Sequence, residues 1–196
     1  MDVSQRMKAN LERSAQTPDV LEIHPPSTVP EDATFVRELR LEALASHPES
    51  FAADYASTEA ESVEVWTERI VSYNLDSQGV ICVAATGNQV IGMSGLFRGN
   101  RPKTRHSGTI WGVYVQADWR GLHLAEALLE ECIGWAKAQG LVIVKLAVIT
   151  TNAPAIRCYT HCGFTAYGID PKVICYNDVF YDELLMAKVI SISRSI

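Results

Sequence analysis

The amino-acid sequence predicts a mixed α/β domain, a central sheet layered with helices. Three observations carry that class. Helical and strand periodicities alternate along 196 residues, a length that suits one domain with a sizeable core. The run "LVIVKLAVI" (141–149) is near-continuously apolar between two helical patterns, as expected for a strand covered on both faces. Hairpin turns are signalled at Gly87-Asn88 and at "NDVF" (177–180).

Residues 1–20 have no apolar run and read as a flexible N-terminal extension, neither a secretion signal nor a membrane span. "LEIH" from Leu21 is a short first strand, closed by Pro25-Pro26. A helix then opens on Pro30 and acidic residues, carries Phe35, Val36, Leu39 and Leu44 at helical spacing, and stops at "SHP". "ESFAADYAS" (49–57) reads as loop or frayed end, bearing Phe51 and Tyr55. A second helix starts near Ser62, with Val63, Trp66, Ile70 and Tyr73 on one face. "GVICVAA" and "QVIGMSGLF" form a hairpin, "RGNRPKTRH" is a polar loop, and "SGTIWGVYV" (107–115) is the fourth strand. A helix from about Leu122 ends at Gly140, its C′ residue. After strand 141–149, Asn152 caps a short helix with Pro154 in its first turn and Gly163 as terminator. "AYGID", "VICY", the turn and "YDELLMAKVI" close the chain, giving the order β-α-α-β-β-β-α-β-α-β-β.

Composition narrows function. The chain is 47% apolar and 20% charged with a net charge of −6, so it lacks the basic footprint of a nucleic-acid binder. Five cysteines, an odd number without a CxxC pair, read as reduced thiols of a cytoplasmic protein. Cys158 and Cys162 lie four apart beside His161, a spacing that buried helix cysteines show far more often than metal ligands, so no metal is expected.

Chemistry concentrates where strand 107–115 meets the next helix, in "DWRGLHLA" (118–125). A helix start carries unpaired N–H groups and partial positive charge, which suits a phosphate. The motif GxxxxGK[ST] is absent, and GxGxxG does not follow the first strand, which excludes two familiar nucleotide loops. Main-chain N–H groups from Gly121 to Ala125 can instead wrap a diphosphate, with small Ala125 allowing close approach. Arg120 either adds a side-chain contact or lies on the surface.

"RGLHLA" after "VYV", followed by "NAPAIRCYTHCGF" (152–164), resembles the GNAT superfamily of acetyl-CoA-dependent N-acetyltransferases over about residues 20 to 190. Their phosphate loop reads Q/R-x-x-G-x-G/A: Arg120 matches its first position and Ala125 its last, while His123 stands where Gly is usual. A side chain at 123 need not block the phosphate if the residue keeps helical φ. The resemblance implies a mostly antiparallel sheet of six to seven strands, splayed between strands 4 and 5, with about four helices on its two faces. Residues 21–196 would then be one acyltransferase domain.

It also implies that Val113, Tyr114 and Val115 hold the pantetheine arm by main-chain contacts. Arg120, Gly121, Leu122, His123, Leu124 and Ala125 would hold the diphosphate, with Asn152 and Tyr159 near the thioester. The reaction implied is transfer of acetyl from acetyl-CoA to a primary amine of a small molecule, protein or peptide, by direct attack in a ternary complex. Tyr159, two helical turns from Asn152, takes the place of the general acid, and the N–H of Val113 that of the donor to the thioester carbonyl. No carboxylate lies on strand 107–115; His106 starts it, and a water relay to Glu42, Asp182 or Glu183 is the expected route for the amine's proton, with Asp118 serving the turn. Phe51, Tyr55, Trp66 and Trp111 are candidate acceptor walls. The competing readings are a catalytically silent coenzyme A-binding module and a transferase for longer acyl chains. No nucleic-acid or membrane partner is expected, and the protein would be a monomer or homodimer.

Overall fold

In the computed structural model the described residues are 21–25, 30–76, 78–87 and 89–190. The extension expected over 1–20, Pro26 and Asn88 lie outside them. The elements are β1 (Leu21–His24), α1 (Pro30–Ser46), a 3-10 turn (Pro48–Ser50), α2 (Tyr55–Ala60), α3 (Val63–Asp76), β2 (Gly79–Thr86), β3 (Gln89–Arg98) and β4 (Ser107–Val115). A 3-10 turn (Ala117–Trp119), α4 (Leu124–Ala138), β5 (Ile143–Ile149), α5 (Ala153–His161), β6 (Thr165–Tyr176) and β7 (Val179–Val189) complete the order. One seven-stranded sheet runs β1-β2-β3-β4-β5-β7-β6, antiparallel except where β4 meets β5.

Two cores flank this sheet. On one face, Ala33, Val36 and Leu39 of α1 and Trp66 and Ile70 of α3 pack with Ile81, Val83 and Met93 of β2 and β3. On the other, α4 buries Leu124, Leu128, Leu129, Cys132, Ile133 and Ala136 against Val80, Ile91, Leu96 and Leu146. Each fully buried Leu or Ile adds about 1.5–3 kcal/mol of transfer free energy, which fixes α4 rigidly behind the loop that precedes it. Gly140, at φ +70°, takes the left-handed C′ position beyond α4.

The structure departs from the sequence reading in two local places. "ADYAS" is no frayed end: Asp54 accepts the N–H of Ser57 at 2.8 Å and caps the six-residue α2. With it the described residues hold five α-helices, this short one added to the about four expected. β5 begins at Ile143, because the N–H of Leu141 still bonds the carbonyl of Ala136 at the end of α4. Its faces are not both covered, since Ala147 is exposed. "AYGID" and "VICY" together form β6, the first strand of the closing hairpin, with a bulge between Asp170 and Ile174 where Lys172 has φ +57°. Asn177 and Asp178, at φ +50° and +60°, make the two-residue turn into β7. Among the described residues, no helix is long and apolar enough to cross a membrane.

Candidate active site

The sheet opens at its middle. β4 and β5 pair only at Ser107–Ile143, Gly108–Val144 and Thr109–Lys145, and beyond these the two strands diverge around a cleft of about 730 Å³. A bulge on β4 turns it away. Tyr114 pairs with Met93 and Trp111 with Gly95, so Gly112 and Val113 together oppose Ser94 alone. Gly112 sits at φ +66°, a left-handed conformation that glycine takes without strain. The absent side chain of Gly95 makes room for the indole of Trp111, which would lie 2.2 Å from a Cβ there.

Val113, Tyr114 and Val115 border the cleft, and their side chains pack into the two cores. Val113 and Val115 pack on the α4 side of the sheet. Tyr114 points to the α1 side, where its hydroxyl donates to Glu42 Oε1 at 2.8 Å.

The loop after β4 supplies a row of unsatisfied donors. Among the described residues the six amides from Gly121 to Glu126 find no acceptor, and α4 runs for 15 residues behind them. Gly121 at φ +83° and His123 at φ +61° curl the backbone, and Gly121, His123, Leu124 and Ala125 line the cleft. Amides presented this way, with the positive end of a helix behind them, bind anions. The side chain of Leu122 does not reach the cleft and packs against the core instead, leaving only its amide in the row.

His123 adopts left-handed rather than right-handed φ, and its Nδ1 contacts the Glu126 carboxylate one turn on. Arg120 has two partners of its own. Nε donates to the Val115 carbonyl at 3.0 Å, Nη2 lies 3.1 Å from His47 Nε2, and the guanidinium stands 5.7 Å from the Tyr114 ring centroid. Arg120 thus ties the loop to the end of β4.

Across the cleft, Asn152 Oδ1 accepts the N–H of Ala155 at 3.1 Å and caps α5. Tyr159 lies on the same helix at 8% exposure, its ring edge-on to Phe164. Burial, then the neighbouring Cys158 and Cys162, raise the Tyr159 phenol above its usual pKa, so it stays a neutral proton donor. Among the described residues no group of three or more His, Cys, Asp or Glu side chains is placed to hold a metal; Cys158 and Cys162 are free thiols.

On the acceptor side the structure sorts the expected residues. Phe51 and Trp111 line the cleft. Tyr55 is instead exposed on α2, bonded to Glu59, and Trp66 is wholly buried between α3 and the sheet. Glu42, Asp182 and Glu183 do not line the cleft either. Glu42 is held by Tyr114 and by Gln116 Nε2 at 2.7 Å, and Asp182 accepts the N–H of Lys172 at 2.9 Å. Burial, with Asp170 beside it, raises the Glu183 pKa. His106 is exposed in the turn before β4. In place of these acids, His47 and Glu49 line the cleft, at the turn where "SHP" had marked only a helix stop and "ESFAADYAS" a loop or frayed end.

Comparison with known proteins matches this geometry. The profile of the acetyltransferase (GNAT) family covers residues 36–164. The chain is 29% identical over 132 residues to the L-amino acid N-acetyltransferase AaaT of Escherichia coli (strain K12), across 65% of this chain and 77% of that protein. It is 27% identical over 139 residues to the mycothiol acetyltransferase of Actinosynnema mirum, across 71% of this chain but only 43% of that longer protein. In fold it resembles yncA of Salmonella typhimurium, solved with its cofactor acetyl-CoA, at a TM-score of 0.78 and 18% identity, over 91% of this chain and 98% of that one.

Proposed function

The chain belongs to the acetyltransferase (GNAT) family, and from that premise we propose that it moves an acetyl group from acetyl-CoA to a primary amine of a small molecule, protein or peptide. The observation that carries the reading is the row of acceptor-free amides from Gly121 to Glu126 beside the open edge of β4. A diphosphate suits the first and an extended, amide-bearing arm the second, as in strand addition. Acetyl-CoA has both.

In this reading the amides of Gly121 to Ala125 hold the diphosphate, and the main chain of Val113 to Val115 holds the pantetheine amides. Arg120 acts as the brace of the loop, and Asn152 keeps α5 at the cleft wall while its amide nitrogen is available to the arm. The Val113 N–H donates to the thioester carbonyl and stabilises the charge that grows on its oxygen. Tyr159 gives its proton to the departing sulfur as the carbon–sulfur bond breaks and the carbon–nitrogen bond forms. The amine, with a pKa of about 10 in water, must lose a proton before attack. His47 and Glu49 are the titratable groups on the acceptor wall positioned to take it, directly or through water. Holding donor and acceptor together supplies much of the acceleration. Five free cysteines and an acetyl-CoA donor fit a cytoplasmic setting.

The test is thiol release from acetyl-CoA across an amine library, with Tyr159→Phe as the control. Acetyl-CoA binding with some library members acetylated, and loss of turnover in the variant, is the expected result. Tight coenzyme binding with silence across the library points to a binding module instead, and faster turnover with longer acyl-CoA points to another acyl group.

A further inference from the structure

Arg40 is a cation in an unusual place. It lies on α1 with 8% exposure, and its Nη1 is buried without a hydrogen-bond partner. The Phe51 ring covers the guanidinium, 4.5 Å from Cζ. Its charged neighbours offset it only in part: Glu61 acts on it through space but is bonded to Arg69 Nη2 at 2.9 Å, while Arg37 Nε donates to the Glu61 carbonyl. Arg40 forms no ion pair of its own among the described residues. Burial, with Arg69 nearby, lowers its pKa to about 10, which leaves it charged at neutral pH. Proteins rarely keep a buried, charged donor unsatisfied, because water has been removed and nothing replaces it.

Its position gives the reason. Nη1 would lie 3.9 Å from a Cβ at Gly112, the bulge residue on the cleft wall. Gly112 carries no side chain of its own there; Met93 Cε stands closer to the same position, at 3.6 Å, and Phe51 lines the cleft while Arg40 lies just behind its lining. The next residue is Val113, whose amide is assigned above to the thioester carbonyl. An anion receptor one residue from that amide suits an acceptor whose amine and anion are only a few bonds apart.

We infer that Arg40 receives the carboxylate of the acceptor through the gap at Gly112, and that the acceptor is therefore a free amino acid rather than a lysine side chain or a plain amine. This rests on the acetyl-transfer reading for its geometry but is tested separately from it. A guanidinium matches a carboxylate in planarity and donor spacing, and the Phe51 ring covers this one.

The experiment compares a panel of L-amino acids with their carboxamides and decarboxylated amines, by turnover and by calorimetry. The calorimetric arm titrates the N-acetylated forms of each into the coenzyme A-loaded wild-type protein and needs no catalysis. The acids are expected to exceed amides and amines by at least tenfold in kcat/KM, and the N-acetyl acids in affinity. Arg40→Met is expected to erase that preference by raising KM for the acids, with KM for acetyl-CoA unchanged. Arg40→Lys restores part of it. Equal use or equal binding of acids and amides by the wild type overturns the assignment without touching acetyl transfer. So does binding of no panel member, or a folded Arg40→Met that keeps the preference. Binding that prefers the N-acetyl acids with no turnover overturns the enzymatic reading and leaves Arg40 its role. If Arg40→Met does not fold, the wild-type comparison and Arg40→Lys decide.

Discussion

Arg120 and Val115 are joined by a 3.0 Å hydrogen bond from guanidinium Nε to carbonyl oxygen, five residues apart across the turn that leaves β4. The same side chain reaches His47 on the opposite wall. An arginine so occupied shapes the loop more than it neutralises phosphate. Arg120→Met should weaken acetyl-CoA binding about tenfold, roughly 1.4 kcal/mol, by loosening the row of amides. Calorimetry at two ionic strengths checks the cause. Wild type and variant are expected to lose affinity in parallel as salt rises, whereas a direct phosphate contact would make the variant less salt-sensitive.

His123 occupies a left-handed position that the family motif usually gives to glycine. A β-branched residue fits that conformation poorly, so His123→Val should destabilise the fold by about 1–2 kcal/mol and weaken acetyl-CoA binding. His123→Gly removes the strain and the contact with Glu126 together, and adds freedom to the unfolded chain. These terms offset, and the glycine variant should melt close to wild type with its coenzyme affinity kept. Thermal melts and coenzyme titrations of the pair decide this; a glycine variant that no longer binds would show that the imidazole itself is needed.

Features written in local chemistry were legible in the sequence. The Asn152 cap, Gly140 at the end of α4 and the Gly121 turn each depend on neighbours a few residues away. Asp54 caps a helix too, yet α2 is six residues long and has almost no apolar face, so no periodicity announced it. The acceptor wall was harder still. Trp66 and Trp111 look alike in the sequence, but only the bulge at Gly112 and the space over Gly95 decide that Trp111 reaches the cleft. Arg40 reads as an ordinary polar position on a helix, and its burial is a product of Phe51 folding back over it.

The bulge that opens the sheet should therefore be sensitive to a residue outside the cleft. A methyl group at position 95 would meet Trp111 atoms at 2.2–2.5 Å. Overpacking of this kind costs about 1–3 kcal/mol, and the indole must shift from its place beside the β4 bulge. Gly95→Ala should lower the melting temperature and reduce acetyl-CoA affinity together. A variant that loses stability while binding the coenzyme normally would separate the bulge from the site.

Tyr159 makes two predictions with one sign. Its raised phenol pKa, from burial and then from Cys158 and Cys162, keeps the proton on the oxygen throughout the neutral range. Tyr159→Phe should then lower kcat by about 10²-fold, the lower end of general-acid effects, with acetyl-CoA affinity unchanged, and activity should show no alkaline limb from this group below about pH 10. For stability, the folded-state pKa lies above the unfolded value of about 10. The unfolded chain thus releases the proton first, and the contribution is complete below pH 10 and lost as pH rises beyond it. Denaturant melts at pH 8, 10 and 11 should show wild type losing stability faster than Tyr159→Phe only at the highest pH. Parallel losses would mean that the phenol titrates in the fold as it does in water, and that the cleft around it is wetter than its burial indicates.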